Sequence, residues 1–568
     1  MSLRCGGPYT TLYRGRLSAT AVEHGTCVTA VGVKLAMGIR AKASSFIRSH
    51  PVGLSLAAVF ALYLLIRLVN IKAVPIYIDE AIYLKWARDA QQGHLWASLL
   101  WDGKPPLHAW LMVPFLGVFK DPLVAGRATS LFFGGLTTAG MFLVGKELRD
   151  WKLGALAAAL YVVCPFTFWY DRLAIAESVL LTFFVFAIYF AVKAARSVKP
   201  FYLVGAGLAA GLALLTKGTA LLIFPIVFFA YFIRGPRERA LEGRRPLLVW
   251  TASVTMSLLL GFGMLNLLRL SPMYAFRSHF VETRTKGVFA ALTTPPGQFL
   301  RFDLSILGSF IKFLTPALLF IALLGLALGL ARKWRPARFL LAWLLVGSTI
   351  ISLVGKFAWS RFYLVLVPPL LFTSAYLIYE AAAFVARTWS LRTAHREYRV
   401  APAAAIALCL LLVVTALPVA GELHGMVDAR QGDPAFISGR TAGIGMSQAI
   451  AFLDRASHRG AINVVVNDYF IQLAIKLYVP GDHSLNVITL TQEYRKGYTG
   501  LLEATADKAA HQRPTYLVLD GTGPAPPASW PVRVLEKFEE GGRRRTHLFV
   551  LRVSGDSWPA PVPTGNSI

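Results

Sequence analysis

Residues 51–70 read PVGLSLAAVFALYLLIRLVN, an apolar run whose one charge is Arg67. As a helix such a run rises about 30 Å, the thickness of a bilayer's hydrocarbon core. A β-barrel would instead show alternating segments of roughly ten residues. The run is therefore predicted as a transmembrane helix. The pattern recurs near 122–145, 153–170, 174–192, 201–215, 218–233, 246–268, 306–331, 339–355, 362–384 and 401–420, about eleven spans by the length rule. Leu107–Phe119 is too short to cross comfortably and reads as lying at the interface. Composition agrees, since 55% of the 568 residues are hydrophobic and 15% charged, with mean hydropathy +0.55. The predicted fold is mainly α: a polytopic transmembrane helical bundle over 51–420, with a C-terminal extracytoplasmic α/β domain at 421–568.

The formal net charge is +28, and its placement decides its meaning. From Glu422 onward 15 Lys and Arg face 14 Asp and Glu, so nearly all the excess lies in the membrane part. There it reads as topology, which argues against nucleic acid as a partner. With the N-terminus inside, the inner loops carry Lys146, Arg149 and Lys152; Lys193, Arg196 and Lys199; Arg234, Arg237, Arg239, Arg244 and Arg245; Arg332, Lys333, Arg335 and Arg338; and Arg387, Arg392, Arg396 and Arg399. Each is basic, as the positive-inside rule requires. The expected location is a multi-pass membrane protein of a prokaryotic plasma membrane, N-terminus cytoplasmic and C-terminal domain outside. Residues 1–50 hold no run of spanning length and no typical cleavable signal, so 51–70 reads as an uncleaved anchor. The segment before Met37 reads as disordered, or as preceding the true start.

The outer side then receives a long first loop (71–121), a second at 269–305, short connections at Asp171–Leu173, Thr216–Lys217 and Lys356–Arg361, and the tail. In the tail, Ala461–Val466 and Thr515–Leu519 are β-rich, while Met446–Ala456 and Tyr469–Tyr478 are amphipathic helices. The cysteines, Cys5, Cys27, Cys164 and Cys409, all precede the tail, so it holds neither a disulfide framework nor zinc spacing. No internal repeat supports an inverted-repeat transporter.

Charges at membrane depth cost a few kcal/mol unless partnered or wet. Arg67, Arg127, Glu177, Lys217 and Lys312 all fall in the outer halves of their spans. Snorkelling accounts for any one of them, and fits Arg67 and Lys312 as well as a functional role does. Arg127 and Glu177 lie inside span boundaries, and together the set suggests a polar cavity open to the outside. Asp79-Glu80 follows the first span at the expected start of a helix. In a soluble helix this pair would be unremarkable; facing a cavity, it is a general-base candidate. Gly103-Lys104-Pro105-Pro106-Leu107-His108 fixes an extended turn that presents Lys104. With Arg127, Lys217, Lys356 and Arg361 it forms a cationic set suited to a lipid phosphate. Glu80, His108 and His279 could ligate a divalent metal, although their spacing matches no recognised pattern; no cofactor is required by the sequence.

The motifs DEAIYLKWARDA, GKPPLHAWL, GRATSLFFG, DRLAIAESVLLTFF, GLALLTKGTALL and SRFYLVLVPPLL, in that order over roughly residues 50–385, resemble the dolichyl-phosphate-mannose–protein mannosyltransferases. They also resemble the bacterial aminoarabinose transferases that modify lipid A; both belong to the GT-C superfamily. The resemblance implies that Asp79 activates the acceptor, with Glu80 as its partner. Glu177 takes the second acidic site, where the aminoarabinose enzymes carry aspartate. Lys104, Arg127, Arg172, Lys217, Lys356 and Arg361 would bind the donor phosphate. The chain is thus expected to move a sugar from a polyprenyl-phosphate donor to a hydroxyl on a lipid, glycan or protein acceptor at the outer face, with inversion. The alternative is a polyprenyl-linked sugar flippase or other transporter, which should carry its charges near mid-membrane and show repeats. A non-enzymatic scaffold leaves Glu177 and Arg127 unexplained.

Overall fold

The computed structural model describes residues 50–72, 74–197, 199–235, 246–275, 286, 290, 293–356, 359–392, 445–479, 485–489, 510, 513–520, 532–538 and 548–553. The expected span at 401–420 and His279 lie outside them. The chain falls into two compact units, Met1–Ala58 and Val59–Ile568, and every contact between elements given below lies in the second.

Helix α1 (Pro51–Leu68) bears out the opening prediction. Leu62, Leu64, Leu65 and Leu68 are exposed, as suits lipid contact, whereas Tyr63 and Arg67, one turn apart, are buried. The first loop folds into α2 (Ile78–Gln91), α3 (Ala97–Asp102) and α4 (Leu107–Val118). The bundle continues with α5 (Pro122–Leu148), α6 (Trp151–Val163), α7 (Pro165–Asp171), α8 (Glu177–Ser197), α9 (Pro200–Thr216), α10 (Ile223–Phe228) and α11 (Pro246–Leu265). It closes with α12 (Pro296–Leu314), α13 (Pro316–Ala331), α14 (Arg335–Val354) and α15 (Val367–Arg392). Asp121 caps α5 through the backbone N–H groups of Leu123 and Val124, and Asp150 caps α6 through Lys152 and Leu153. Small residues let helices meet at backbone distance: a Cβ on Gly145 would lie 2.6 Å from the Gly154 Cα, and one on Gly207 2.2 Å from the Ser257 carbonyl.

Among the described residues six helices are long and apolar enough to cross a membrane, or eight if two bent pairs each count as one span. The chain is an integral membrane protein. The expected count of about eleven resolves into these eight, two helices shorter than a full span (Phe201–Thr216 and Gly218–Ile233), and the undescribed segment 401–420. The bent pairs show why hydropathy misses breaks. α12 and α13, expected as one span, turn by 113° at Thr315. That residue takes φ 71 and ψ 146, a backbone region left almost entirely to glycine.

The other break, 65° between α6 and α7, explains Arg67. Pro165 has no N–H to give the carbonyl of Tyr161, four residues back. Arg67 supplies donors instead, Nη1 to the Val162 carbonyl (2.8 Å) and Nη2 to that of Tyr161 (3.4 Å), while Thr167 also donates to Tyr161 (2.5 Å). Its Nε pairs with Asp171 Oδ2 at 3.1 Å, with both side chains buried. Asp171 also accepts from the Tyr161 hydroxyl and from Ser178. Snorkelling is therefore not the role of Arg67: it splices a broken helix.

Among the described residues, three of the basic loops, those at 146–152, 193–199 and 332–338, are brought together. Glu380 pairs with Arg149 (2.6 Å) and with Arg332, Lys193 pairs with Glu147 (2.5 Å), and Tyr379 donates to Asp150 (2.8 Å). The tail forms α16 (Met446–Ser457), β1 (Ile462–Val466), α17 (Tyr469–Tyr478), β2 (Leu485–Thr489), β3 (Thr515–Asp520), β4 (Val532–Phe538) and β5 (Leu548–Val553). The sheet order is β2-β1-β3-β5-β4. β1 runs parallel to both neighbours, β5 antiparallel to β3 and β4. Both expected helices and both expected strands are present. α17 docks on α2 and reaches the cap of α5: Arg88 of α2 donates to the Lys476 carbonyl, and the Tyr478 hydroxyl to Asp121, each at 3.4 Å.

Replacing one member of a buried ion pair typically costs about 3–5 kcal/mol. Arg67→Leu should therefore lower unfolding stability in detergent by that amount, and Arg67→Leu/Asp171→Leu should recover part of it. A single variant as stable as the wild type would contradict the splice.

Candidate active site

The acidic pair sits in the first turn of α2, and adjacency on a helix sends its members in different directions. Glu80 turns inward. Its Oε1 accepts from Arg127 Nε (2.9 Å) and the Ala174 N–H (2.7 Å), and its Oε2 from Arg127 Nη2 (2.8 Å) and the Tyr77 N–H (3.0 Å). Glu80 and Arg127 are both fully buried. Arg127 Nη1 also donates to the carbonyls of Ile71 (2.6 Å) and Val74 (2.9 Å), and Arg172 to those of Val69 and Asn70 (2.7 Å each). The chain between α1 and α2 is thereby fastened to α5 and to the loop after α7.

Asp79 faces the other way and pairs with Arg361. Glu177, first residue of α8, pairs with Lys217, and Arg361 Nε stands 3.8 Å from the same carboxylate. The four side chains form an alternating row, Asp79–Arg361–Glu177–Lys217, of zero net charge. Each is set by its element. Arg361 lies in a 3-10 turn (Ser360–Leu366) held by the Tyr170–Ser360 hydroxyl contact (2.9 Å) and by Trp343 Nε1 on the Val365 carbonyl (3.1 Å). Lys217 sits at the extended break after α9, over the Phe362 ring at 4.8 Å. Lys104 reaches the same region, with Nζ 5.1 Å from the Tyr83 ring and 5.4 Å from that of Trp86. The buried His108 meets Tyr83 nearly at right angles, centroids 4.8 Å apart.

Burial alone would raise the Asp79 carboxyl, but Arg361, then Lys104 and Lys217, more than offset it and hold it well below the usual carboxylate range. Burial pushes the His108 imidazole down to about 4, so it is neutral at pH 7.

Of the residues singled out in the sequence, the structure gathers Asp79, Glu177, Lys217 and Arg361, with Lys104 and His108 beside them. Glu80, Arg127 and Arg172 are engaged in the fastening behind α2. Lys356 is exposed at the end of α14. Among the described residues no group of three or more His, Cys, Asp or Glu side chains is arranged to hold a metal ion, and the Glu80 carboxylate is committed to the contacts above. Tyr83 is the site residue that the sequence reading left unassigned; its signal is the spacing of four from Asp79, which puts both on one helix face.

This arrangement, a helical bundle with a carboxylate at the head of the first loop's helix and cations from that loop and later ones around it, shares its fold with several solved structures. Residues 103–261 match the family described as dolichyl-phosphate-mannose-protein mannosyltransferase. Among solved structures, ArnT from Cupriavidus metallidurans superposes with TM-score 0.53 at 14% identity, covering 89% of this chain and 98% of that one. Its form bound to undecaprenyl phosphate gives 0.52 at 15% identity over 88% and 97%. The oligosaccharyltransferase of Archaeoglobus fulgidus gives 0.50 at 13% identity over 83% and 69%. No curated protein matches the sequence. The resemblance carried by the motifs is borne out.

A carboxyl whose folded pKa is depressed adds stability that is full above its unfolded value, about 4, and is lost as pH falls through the folded value. Unfolding stability contributed by Asp79 should thus be flat from pH 7 to about pH 5. The stability curves of wild type and Asp79→Asn should converge only in stronger acid; convergence already near pH 6 would contradict the Arg361 pairing.

Proposed function

We propose that this protein is a glycosyltransferase that moves a sugar from a polyprenyl-phosphate donor to a hydroxyl of a lipid, glycan or protein acceptor at the outer face of the membrane. The observation that carries this reading is the alternating row Asp79–Arg361–Glu177–Lys217 with Lys104 alongside. It combines a base with cations in one place, at the bundle end opposite the basic loops.

In the proposed reaction the acceptor hydroxyl gives its proton to Asp79 as its oxygen bonds to the anomeric carbon. The bond from that carbon to the phosphate oxygen breaks, and the lipid phosphate leaves with the electron pair. A single displacement inverts the anomeric centre. Arg361, Lys217 and Lys104 stabilise the charge that grows on the phosphate, the electrostatic work that dominates many transfer reactions. The pairing of Asp79 with Arg361 couples the two halves. An incoming phosphate competes for Arg361, and the carboxylate it gives up becomes the stronger base. Glu177 holds Lys217 and the far side of Arg361 while that exchange occurs. Glu80, Arg127 and Arg172 fix the height of α2, on which the position of Asp79 depends. The tail domain, docked on α2 through α17, is suited to the acceptor side.

Asp79→Asn keeps shape but removes the base, so transfer should fall at least about a hundredfold, while donor binding, relieved of a competitor for Arg361, should be as tight as in the wild type or tighter. Lys104→Ala or Arg361→Ala should instead weaken donor binding by about 2 kcal/mol. Release of lipid phosphate from a panel of radiolabelled polyprenyl-phosphate sugars reads the first effect, and binding of undecaprenyl phosphate the second. Near-normal transfer by folded Asp79→Asn would refute its role as the base. For sidedness, a reporter active only outside the cytoplasm should work when fused after Leu423 and stay silent near Gly235; the opposite pattern would move the site to the inner face.

A further inference from the structure

We propose that Tyr83 is a positioning residue for the donor phosphate, acting through Lys104. The inference rests on reading Lys104 as a phosphate contact and adds what holds it there. Asp79 and Tyr83 stand one turn apart on α2, so the ring that meets Lys104 is rigidly tied to the proposed base. The segment carrying Lys104 is fixed at both ends against this ring. The Lys104 ammonium lies 5.1 Å from the Tyr83 centroid, and His108, four residues later on α4, meets the same ring at 4.8 Å and 86°. Trp86, at the next position on that face, adds a second surface for the ammonium at 5.4 Å and packs on Tyr83 at 5.3 Å.

The backbone alone places only the start of this side chain. Gly103 ends α3 with φ 57, the Lys104 N–H returns to the Ser98 carbonyl (3.2 Å), and Pro105-Pro106 leads into α4. Beyond Cα the lysine stem is four carbons of free rotation, and its entropy would be lost each time a phosphate bound. A cation held over aromatic faces has lost that freedom before the ligand arrives. Tyr83 and Trp86 are both buried, so the rings are themselves fixed. On this account the phenol oxygen is incidental and the ring is what matters.

The test is a double-mutant cycle read by binding of undecaprenyl phosphate to the purified full-length protein, alongside transfer kinetics. Tyr83→Leu should weaken binding about 5- to 10-fold and raise the donor KM, with kcat at saturating donor little changed. Tyr83→Phe should bind like wild type. In a Lys104→Ala background, Tyr83→Leu should cost nothing more, since the two side chains act as one. Additive losses, or a Tyr83→Phe variant as weak as Tyr83→Leu, would overturn the proposal. If Lys104→Ala itself binds normally, the reading of Lys104 as a phosphate contact fails. If Lys104→Ala is weak and Tyr83→Leu is not, only the role of Tyr83 fails. Tyr83→Met replaces the leucine variant in the same cycle should the latter not fold.

Discussion

Glu80 and Arg127 form a buried pair with two parallel hydrogen bonds, and two backbone N–H groups fill the remaining lone pairs of the carboxylate. A buried charge so fully satisfied is costly to move, because any displacement strands its partner in low dielectric. The pair joins the first turn of α2 to α5 and, through the other donors of Arg127, to the chain leaving α1. The height and rotation of α2 follow from it. Since Asp79 is the residue before Glu80, the direction in which the neighbouring carboxylate points follows as well. Two adjacent acids thus divide the labour: one anchors the helix, and the other pairs with Arg361 at the head of the alternating row.

The same economy appears at the break between α6 and α7. There Arg67 answers the Tyr161 carbonyl that Pro165 leaves free and the neighbouring Val162 carbonyl, and pairs with Asp171. A charge on the first span would otherwise be a burden at membrane depth; here it permits a helix to end inside the bundle and the chain to turn toward Glu177. Arg67 and Arg127, which the sequence places in the outer halves of their spans, are thus spent on buried carboxylates and backbone carbonyls. The cations gathered beside Asp79 are Lys104, from the first loop, and Lys217 and Arg361, from later ones.

Much of this was legible in the sequence because hydropathy, basic loops and turn residues are local signals. The helices, the acidic pair at the head of α2, the Lys104 turn and both helices of the tail were all visible that way. The partners were not. Asp79 and Arg361 are separated by 282 positions, and nothing local tells either which charge it will meet. Span boundaries were less legible for a related reason. Hydropathy averages over Pro165 and Thr315, so it cannot register that the chain turns there, and it reads the short helices after Pro200 and Gly218 as full crossings. Strands β2, β4 and β5 escaped because a five- to seven-residue strand in a mixed sheet draws its identity from its neighbours; β4, with Arg533, Glu536 and Lys537, looks like a solvated loop when read alone.

The central claim is that donor phosphate and Asp79 compete for Arg361, so that the base is released when the donor arrives. An experimental structure of the protein with undecaprenyl phosphate bound tests this most directly. The account predicts phosphate oxygens within hydrogen-bond distance of Arg361 and Lys104, the Asp79 carboxylate no longer paired with Arg361, and the Glu80–Arg127 pair unchanged. A phosphate seated away from Arg361, with Asp79 and Arg361 still paired, would contradict it.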